Sequence, residues 1–260
     1  MLNKLLYRRR FIDIHVVEHC NLNCKCCAHY SPIAKKEYID TDKLEEMYLS
    51  LKPYFSKYFN SIHLLGGEPL LHPNIIDIIK LTRKYFPKTE IQIITNGIKL
   101  LLLDDDFFDI CSKYKIKFYI SKYPIKVDYN KIEKKLSKFK IKYYITDEIK
   151  NFVNYSLDLS GKQDCNYSYN KCKYAGKCIQ LKDNKIYPCF QIAYISHFNQ
   201  YFNENLIVSE DDYLDIRKPI KMNKFIKFIH SSKPFCKYCN IKNIKNVNWK
   251  RSKKSKREWV

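Results

Sequence analysis

Hydrophobic and polar positions alternate between two textures over the first 150 residues. Runs rich in Ile, Tyr and Phe at Phe11–Val17, 61–65, Glu90–Thr95, 117–121 and 141–146 read as strands. Between them, apolar residues recur at helical spacing. Residues 41–54 set Leu44, Met47, Tyr48 and Leu51 on one face, with Asp40 or Thr41 able to cap it. Ile75–Tyr85 follows Pro73-Asn74, while 104–114 and 128–139 each open on acidic residues that suit a helix N-terminus.

Strand and helix alternating at this repeat length predict βαβ units and a parallel sheet. Five units are clear, and a sixth strand is expected near 152–157. The expected class is α/β: the units are too few for the full eightfold barrel, which leaves an open sheet or a partial (β/α)6 TIM-like barrel. Ligands gather at the carboxyl ends of strands in such folds. Three segments follow strands directly and are expected at that mouth: Cys20-Asn21-Leu22-Asn23-Cys24-Lys25-Cys26-Cys27, Gly66-Gly67-Glu68-Pro69 and Thr95-Asn96-Gly97.

The alternation stops after Leu159-Ser160-Gly161. Six cysteines then appear in 75 residues: Cys165, Cys172, Cys178, Cys189, Cys236 and Cys239. A boundary near residue 160 is expected, with the barrel at 1–160 and a small metal-stapled domain at 161–260. Within the latter, 179–181 and 185–187 flank Asp183-Asn184, a good hairpin turn.

Composition narrows the class. At 260 residues the chain can bury a substantial core. Arg8 to Arg10 precede an apolar run, but no small-residue cleavage site follows, and no run is long enough to span a bilayer. A cytoplasmic protein without a membrane partner is expected. The net charge of +21 comes mostly from lysine spread along the chain, and arginine, the better base reader, is scarce. Nucleic acid is therefore not the expected partner, and the basic cluster of Lys250, Arg251, Lys253, Lys254, Lys256 and Arg257 reads as a solvated tail. Eleven cysteines, an odd number in clusters, suggest metal ligation over disulfides.

The first cluster has the spacing C-x3-C-x2-C in Cys20, Cys24 and Cys27. That is one thiolate short of the four that hold an iron–sulfur cluster, which leaves one iron open. Structural zinc is the alternative on spacing alone.

The ordered set of C-x3-C-x2-C, then GGEP, then TNG, each after a strand, resembles the radical S-adenosylmethionine (radical SAM) enzymes over roughly residues 8 to 160. The resemblance implies that Cys20, Cys24 and Cys27 ligate three irons of a [4Fe-4S] cluster whose fourth iron takes the amino and carboxylate groups of SAM. It implies that Gly66, Gly67, Glu68 and Pro69 meet the methionine moiety, with Thr95, Asn96, Gly97 and Ser121 near SAM. Thr95-Asn96-Gly97 also reads simply as a turn. Electron transfer would cleave SAM to a 5′-deoxyadenosyl radical that abstracts a substrate hydrogen. One departure stands out: the family usually has an aromatic residue before the third cysteine, where this chain has Cys26. His15, His19, His29 and His72 fall near the mouth, where packing is their ordinary role; His29-Tyr30 is placed to face substrate, and Glu18 is a weaker candidate.

Cys172, Asn184 and Cys189 resemble the C-x9-15-G-x4-C opening of the SPASM and twitch extensions, with Asn in the place of Gly, a residue that tolerates the left-handed backbone. Cys236 and Cys239 supply a C-x2-C pair. The resemblance implies an auxiliary [4Fe-4S] cluster on Cys172, Cys189, Cys236 and Cys239, with Cys178 as rival to Cys172 and Cys165 as a spare; zinc remains the alternative.

The expected function is hydrogen abstraction from a small polar metabolite, such as a sugar or aminocyclitol, leading to dehydrogenation or epimerisation. A reducing partner such as flavodoxin or ferredoxin is expected. No N-terminal domain of the kind many peptide-modifying relatives use is expected, and residues 26–32 resemble members of carbohydrate and secondary-metabolite pathways. Maturation of a ribosomal peptide is the alternative. A non-catalytic metal-binding module that holds nucleic acid is the reading from another class.

Overall fold

The computed structural model describes residues 10–260. The described residues divide into two compact units: those up to Val17 with Tyr38–Lys150, and Glu18–Glu37 with Asn151–Val260.

The first unit is built on five parallel strands: β1 (Phe11–Val17), β2 (Ser61–Gly66), β3 (Glu90–Thr95), β4 (Ile116–Ile120) and β5 (Tyr143–Ile145). They lie side by side in chain order. That is the winding of a barrel; a doubly wound sheet would reverse direction partway. β1 is buried from Ile12 to Val17, Asp13 and His15 included, whereas β3 and β4 bury alternate residues.

The crossovers are α1 (Thr41–Tyr58), α2 (Ile75–Tyr85), α3 (Asp105–Lys113) and α4 (Tyr129–Lys138). Asp40, Asp104 and Asp128 cap α1, α3 and α4 by accepting backbone N–H groups, the first from Asp42 at 2.8 Å. α1 continues past the expected end at 54, through Pro53, because Tyr54, Phe55 and Tyr58 extend its buried face.

The sixth strand differs from expectation. A strand does form at β6 (Asn151–Asn154), but it belongs to the second unit and pairs antiparallel with β10 (Lys245–Asn248). The parallel sheet of the first unit therefore has five strands, not six. Local pattern specifies strand character; the partner lies about ninety residues further on and leaves no local trace.

The second unit also holds the antiparallel meander β7 (Ile179–Lys182), β8 (Lys185–Tyr187) and β9 (Leu214–Asp215). Asp183 and Asn184 both adopt the left-handed conformation, at φ 51° and 57°, as a tight two-residue hairpin demands. Three helices, α5 (Cys165–Lys171), α6 (Phe190–Phe202) and α7 (Met222–Ile229), complete it. α6 is buried on nearly every side, and its Ile192, Tyr194, Ile195 and Phe198 share a core with Tyr30, Ile33, Leu157, Phe235 and Trp259. That core explains why the division falls at Lys150 and not near 160, and why the loop Glu18–Glu37 goes with the second unit. Among the described residues no helix is long and apolar enough to cross a membrane.

Candidate functional site

The loop after β1 carries the first thiols and turns sharply. Asn23, Cys26 and Tyr30 all adopt left-handed backbone, at φ 55°, 56° and 57°, a conformation that costs non-glycine residues energy and persists where surroundings over-determine it. Those surroundings are the chain's last twelve residues. Lys25 N donates to Lys250 O at 2.8 Å, and Ser252 N donates to Asn23 O at 2.7 Å. Trp259 Nε1 donates to Cys27 O at 2.9 Å, and Trp249 Nε1 donates to Cys24 Sγ at 3.1 Å. The tail expected to be solvated is thus a strap on the thiol loop. Its cations Lys250, Arg251, Lys253, Lys254 and Arg257 are exposed, but Glu258 and Trp259 are buried.

Cys20 and Cys27 both lie within electrostatic reach of Cys24. Burial pushes the Cys24 thiol far up, the neighbouring Cys27 and Cys20 add to this, and the Trp249 N–H opposes it. Burial likewise raises Cys27, while the N–H groups of Ser31, His29 and Tyr30 favour its thiolate. Iron that displaces these protons removes the like-charge cost. The donors aimed at sulfur are those a ligated thiolate uses, so the loop fits a cluster. Cys26 is 2 % exposed, and burial pushes its thiol up to about 11. It behaves as a small buried apolar residue.

The segment after β2 is set by close packing. Gly66 has φ 139°, and a Cβ there would meet the Val17 carbonyl oxygen at 2.0 Å. Gly67 N donates to that same oxygen at 2.8 Å. Glu68, expected to meet the methionine moiety of SAM, is held within the protein. It is fully buried and accepts from Leu70 N at 3.1 Å, Thr95 Oγ1 at 2.7 Å and Asn96 N at 2.9 Å. Its carboxyl pins the GGEP segment to the TNG segment, and burial, opposed by those donors, pushes it up to about 7. Pro69 opens a short 3-10 turn. The TNG segment is a turn held by its own side chains: Gly97 N donates to Thr95 Oγ1 and Ile98 N to Asn96 Oδ1. Ser121 N donates to Thr95 O at 2.9 Å at the end of β4.

In the second unit, Cys172, Cys189, Cys236 and Cys239 line one cavity with Tyr155 and Phe190. Each of the four is electrostatically coupled to at least one other, and burial raises Cys189, Cys236 and Cys239, Cys236 to about 11. Cys178 packs against the core and does not line the cavity. Cys165 couples to Cys236 and Cys239 but sits outside it. Lys233 is 3 % exposed; its ammonium is pushed down to about 8 by burial, partly offset by Cys236 and the nearby carboxylates. A buried cation near Cys236 and Cys189 suits an anionic cluster. Among the described residues no three His, Cys, Asp or Glu side chains are gathered as tightly as a single metal ion requires. A cubane spreads its ligands around a larger body.

His72 is structural: Nε2 meets Ile39 O at 2.9 Å, and Nδ1 accepts from Asn74 N at 3.0 Å. His15 is buried in β1. Burial, then Lys36, lowers the pKa of His19. His29 lies against the rings of Phe190 and Tyr194. Tyr30 is buried, and its hydroxyl donates to Gln191 Oε1. The sequence reading missed His197, whose Nε2 is 2.7 Å from Glu18 Oε2, both side chains largely buried. The two residues are 179 apart in the chain, and no local signal joins them.

The profile of the Radical SAM superfamily matches residues 14–143, half of the chain. The chain belongs to the radical SAM superfamily. The superfamily's [4Fe-4S] cluster and SAM chemistry come with that membership. Curated relatives include the GTP 3',8-cyclase of Nautilia profundicola, 28% identical over 100 residues, which are 38% of this chain and 31% of that protein. The GTP 3',8-cyclase of Alkaliphilus oremlandii is 32% identical over 99 residues, 37% of this chain and 31% of that protein. The match thus spans about a third of the cyclases' length. Among solved structures, BtrN in complex with AdoMet and 2-DOIA superposes with a TM-score of 0.55 at 19% identity, covering 90% of this chain and 93% of that one. This likeness is one of fold: α/β with a parallel sheet, similar to a radical SAM barrel.

Proposed function

We propose that this radical SAM enzyme carries two [4Fe-4S] clusters and oxidises a small polar metabolite, such as a sugar or aminocyclitol. The observation that supports it most is the meeting of Cys172, Cys189, Cys236 and Cys239 around one cavity. Cys20, Cys24 and Cys27 hold the first cluster, and the missing fourth thiolate leaves the place for SAM. When bound, cluster and SAM together supply the one-electron cleavage that removes a substrate hydrogen atom. The segments Gly66–Pro69 and Thr95–Gly97, with Ser121, are the SAM-binding stretches; Gly66 and Gly67 serve through their backbone, since Glu68 is engaged within the protein. The four second-unit thiols form a SPASM- or twitch-like auxiliary site. Dehydrogenation of an alcohol needs a place for one more electron and one proton. A fully ligated thiolate site suits the electron, and the Glu18–His197 pair suits the proton. Reduction would come from a flavodoxin or ferredoxin.

The named relatives favour one second reading, a purine nucleotide triphosphate as substrate. The test incubates anaerobically reconstituted protein, expected to hold about eight irons, with SAM, reductant and a deuterated panel: aminocyclitols including 2-DOIA, GTP and a peptide. Deuterium entering 5′-deoxyadenosine from one of them identifies substrate class and carbon. Absence of SAM cleavage with every substrate sinks the enzyme reading. Zinc without iron, together with nucleic-acid binding that collapses with salt, would favour the non-catalytic module.

A further inference from the structure

The chain has two tryptophans, and both donate their indole N–H to the thiol loop. Trp259 takes a carbonyl, Cys27 O. Trp249 takes a sulfur, Cys24 Sγ, at 3.1 Å. The residues around Trp249 hold it there. β10 ends at Asn248 against β6, Lys250 O accepts from Lys25 N, and Arg251 forms a bridge with Cys24. Further on, buried Glu258 accepts from Ser252 Oγ at 2.6 Å and Lys253 N at 2.8 Å, folding the strap onto itself. The indole is therefore fixed on both sides by backbone pairing.

A hydrogen bond to a ligating sulfur draws electron density from it and stabilises the reduced cluster, which raises the reduction potential. We propose that Trp249 is a positioning residue that tunes the SAM-binding cluster, its indole N–H on Cys24 Sγ making that cluster easier to reduce. This rests on the reading of Cys24 as an iron ligand. The C-terminal strap is then part of the redox site, although it lies 225 residues from the thiol it serves.

The test is an EPR-monitored redox titration of the reconstituted full chain, following the cluster signal that changes on adding SAM. Trp249→Phe keeps the ring and removes the donor. Its cluster should be about tenfold less reduced at a fixed poise, about 59 mV more negative for one electron, with iron content unchanged. Trp249→His, which restores an N–H, should return the potential towards wild type. A full iron load with the wild-type potential in Trp249→Phe overturns the proposal. Should Trp249→Phe fail to hold the cluster, Trp249→His decides: recovery of iron and potential supports the proposal, and no recovery overturns it. Cys24→Ala separates the underlying reading, because a SAM-responsive cluster that survives that change removes Cys24 as ligand.

Discussion

Glu68 offers the sharpest test of the structure, because its environment pulls in two directions. Burial raises its pKa, while Leu70 N, Thr95 Oγ1 and Asn96 N favour the anion; burial wins, and the group stands at about 7. An unfolded glutamate titrates near 4.5. The folded state therefore holds its proton more tightly. The resulting stabilisation is fully present below about pH 4.5 and is lost as pH rises through about 7. The difference corresponds to about 3 kcal/mol, undiscounted because Glu68 is 0% exposed. Glu68→Gln does not titrate, but it turns one donor against a backbone N–H and costs about 1–3 kcal/mol. Relative to wild type, the variant should be less stable by that amount near pH 5 and nearly equal near pH 8. Hydrogen exchange at the Leu70 and Asn96 amides, corrected for intrinsic pH dependence, measures the difference; histidines common to both proteins cancel. If the gap between wild type and variant widens with rising pH, the backbone donors outweigh burial and the reasoning fails.

Three further outcomes follow from the geometry. Cys24→Ala should lose the iron of the first site and all SAM cleavage while the site of Cys172, Cys189, Cys236 and Cys239 keeps about four irons, read by iron analysis and EPR. Cys172→Ala should empty the second site, whereas Cys178→Ala should leave it filled, since only Cys172 lines the cavity; equal loss in both would refute the assignment. Gly66→Ala forces a Cβ into the Val17 carbonyl and should destabilise the first unit by about 3 kcal/mol or more, seen as lost exchange protection in β1 and β2.

What the sequence disclosed was local. Strand and helix periods placed β1 through β5 and their crossovers to within a few residues, because each element is specified by its own period and caps. The Asp183-Asn184 turn was legible for the same reason: both residues tolerate the left-handed backbone it needs. The engagement of Glu68 was not legible, because a carboxylate in a ligand-binding motif looks available until its burial and three donors are seen. The tail's lysines do face water as read, but its backbone bonds to the thiol loop and the burial of Trp259 left no local trace. Likewise, β6 was recognised as a strand but assigned to the wrong sheet. These gaps share a cause: each depends on a partner more than twenty residues away.

The same distinction explains how the thiols are divided. Cys20, Cys24 and Cys27 are set by one short loop, so their gathering was legible in their spacing. Cys172, Cys189, Cys236 and Cys239 arrive from a helix end, a helix start and a 3-10 turn spread over nearly seventy residues, and only packing brings them to one cavity. A closed site of this kind needs a folded scaffold to gather it. That scaffold is the unit whose core includes Tyr30, three residues after Cys27, and Phe190, next to Cys189. Tyr30 also joins the thiol loop to Gln191, two residues beyond Cys189. The open and the closed thiol sets therefore share one core, and a change in Tyr30 should be felt at both. Tyr30→Phe leaves Gln191 without its donor, a loss of about 1 kcal/mol. EPR spectra of the two clusters should both shift; a change confined to one would show that the shared core does not couple them.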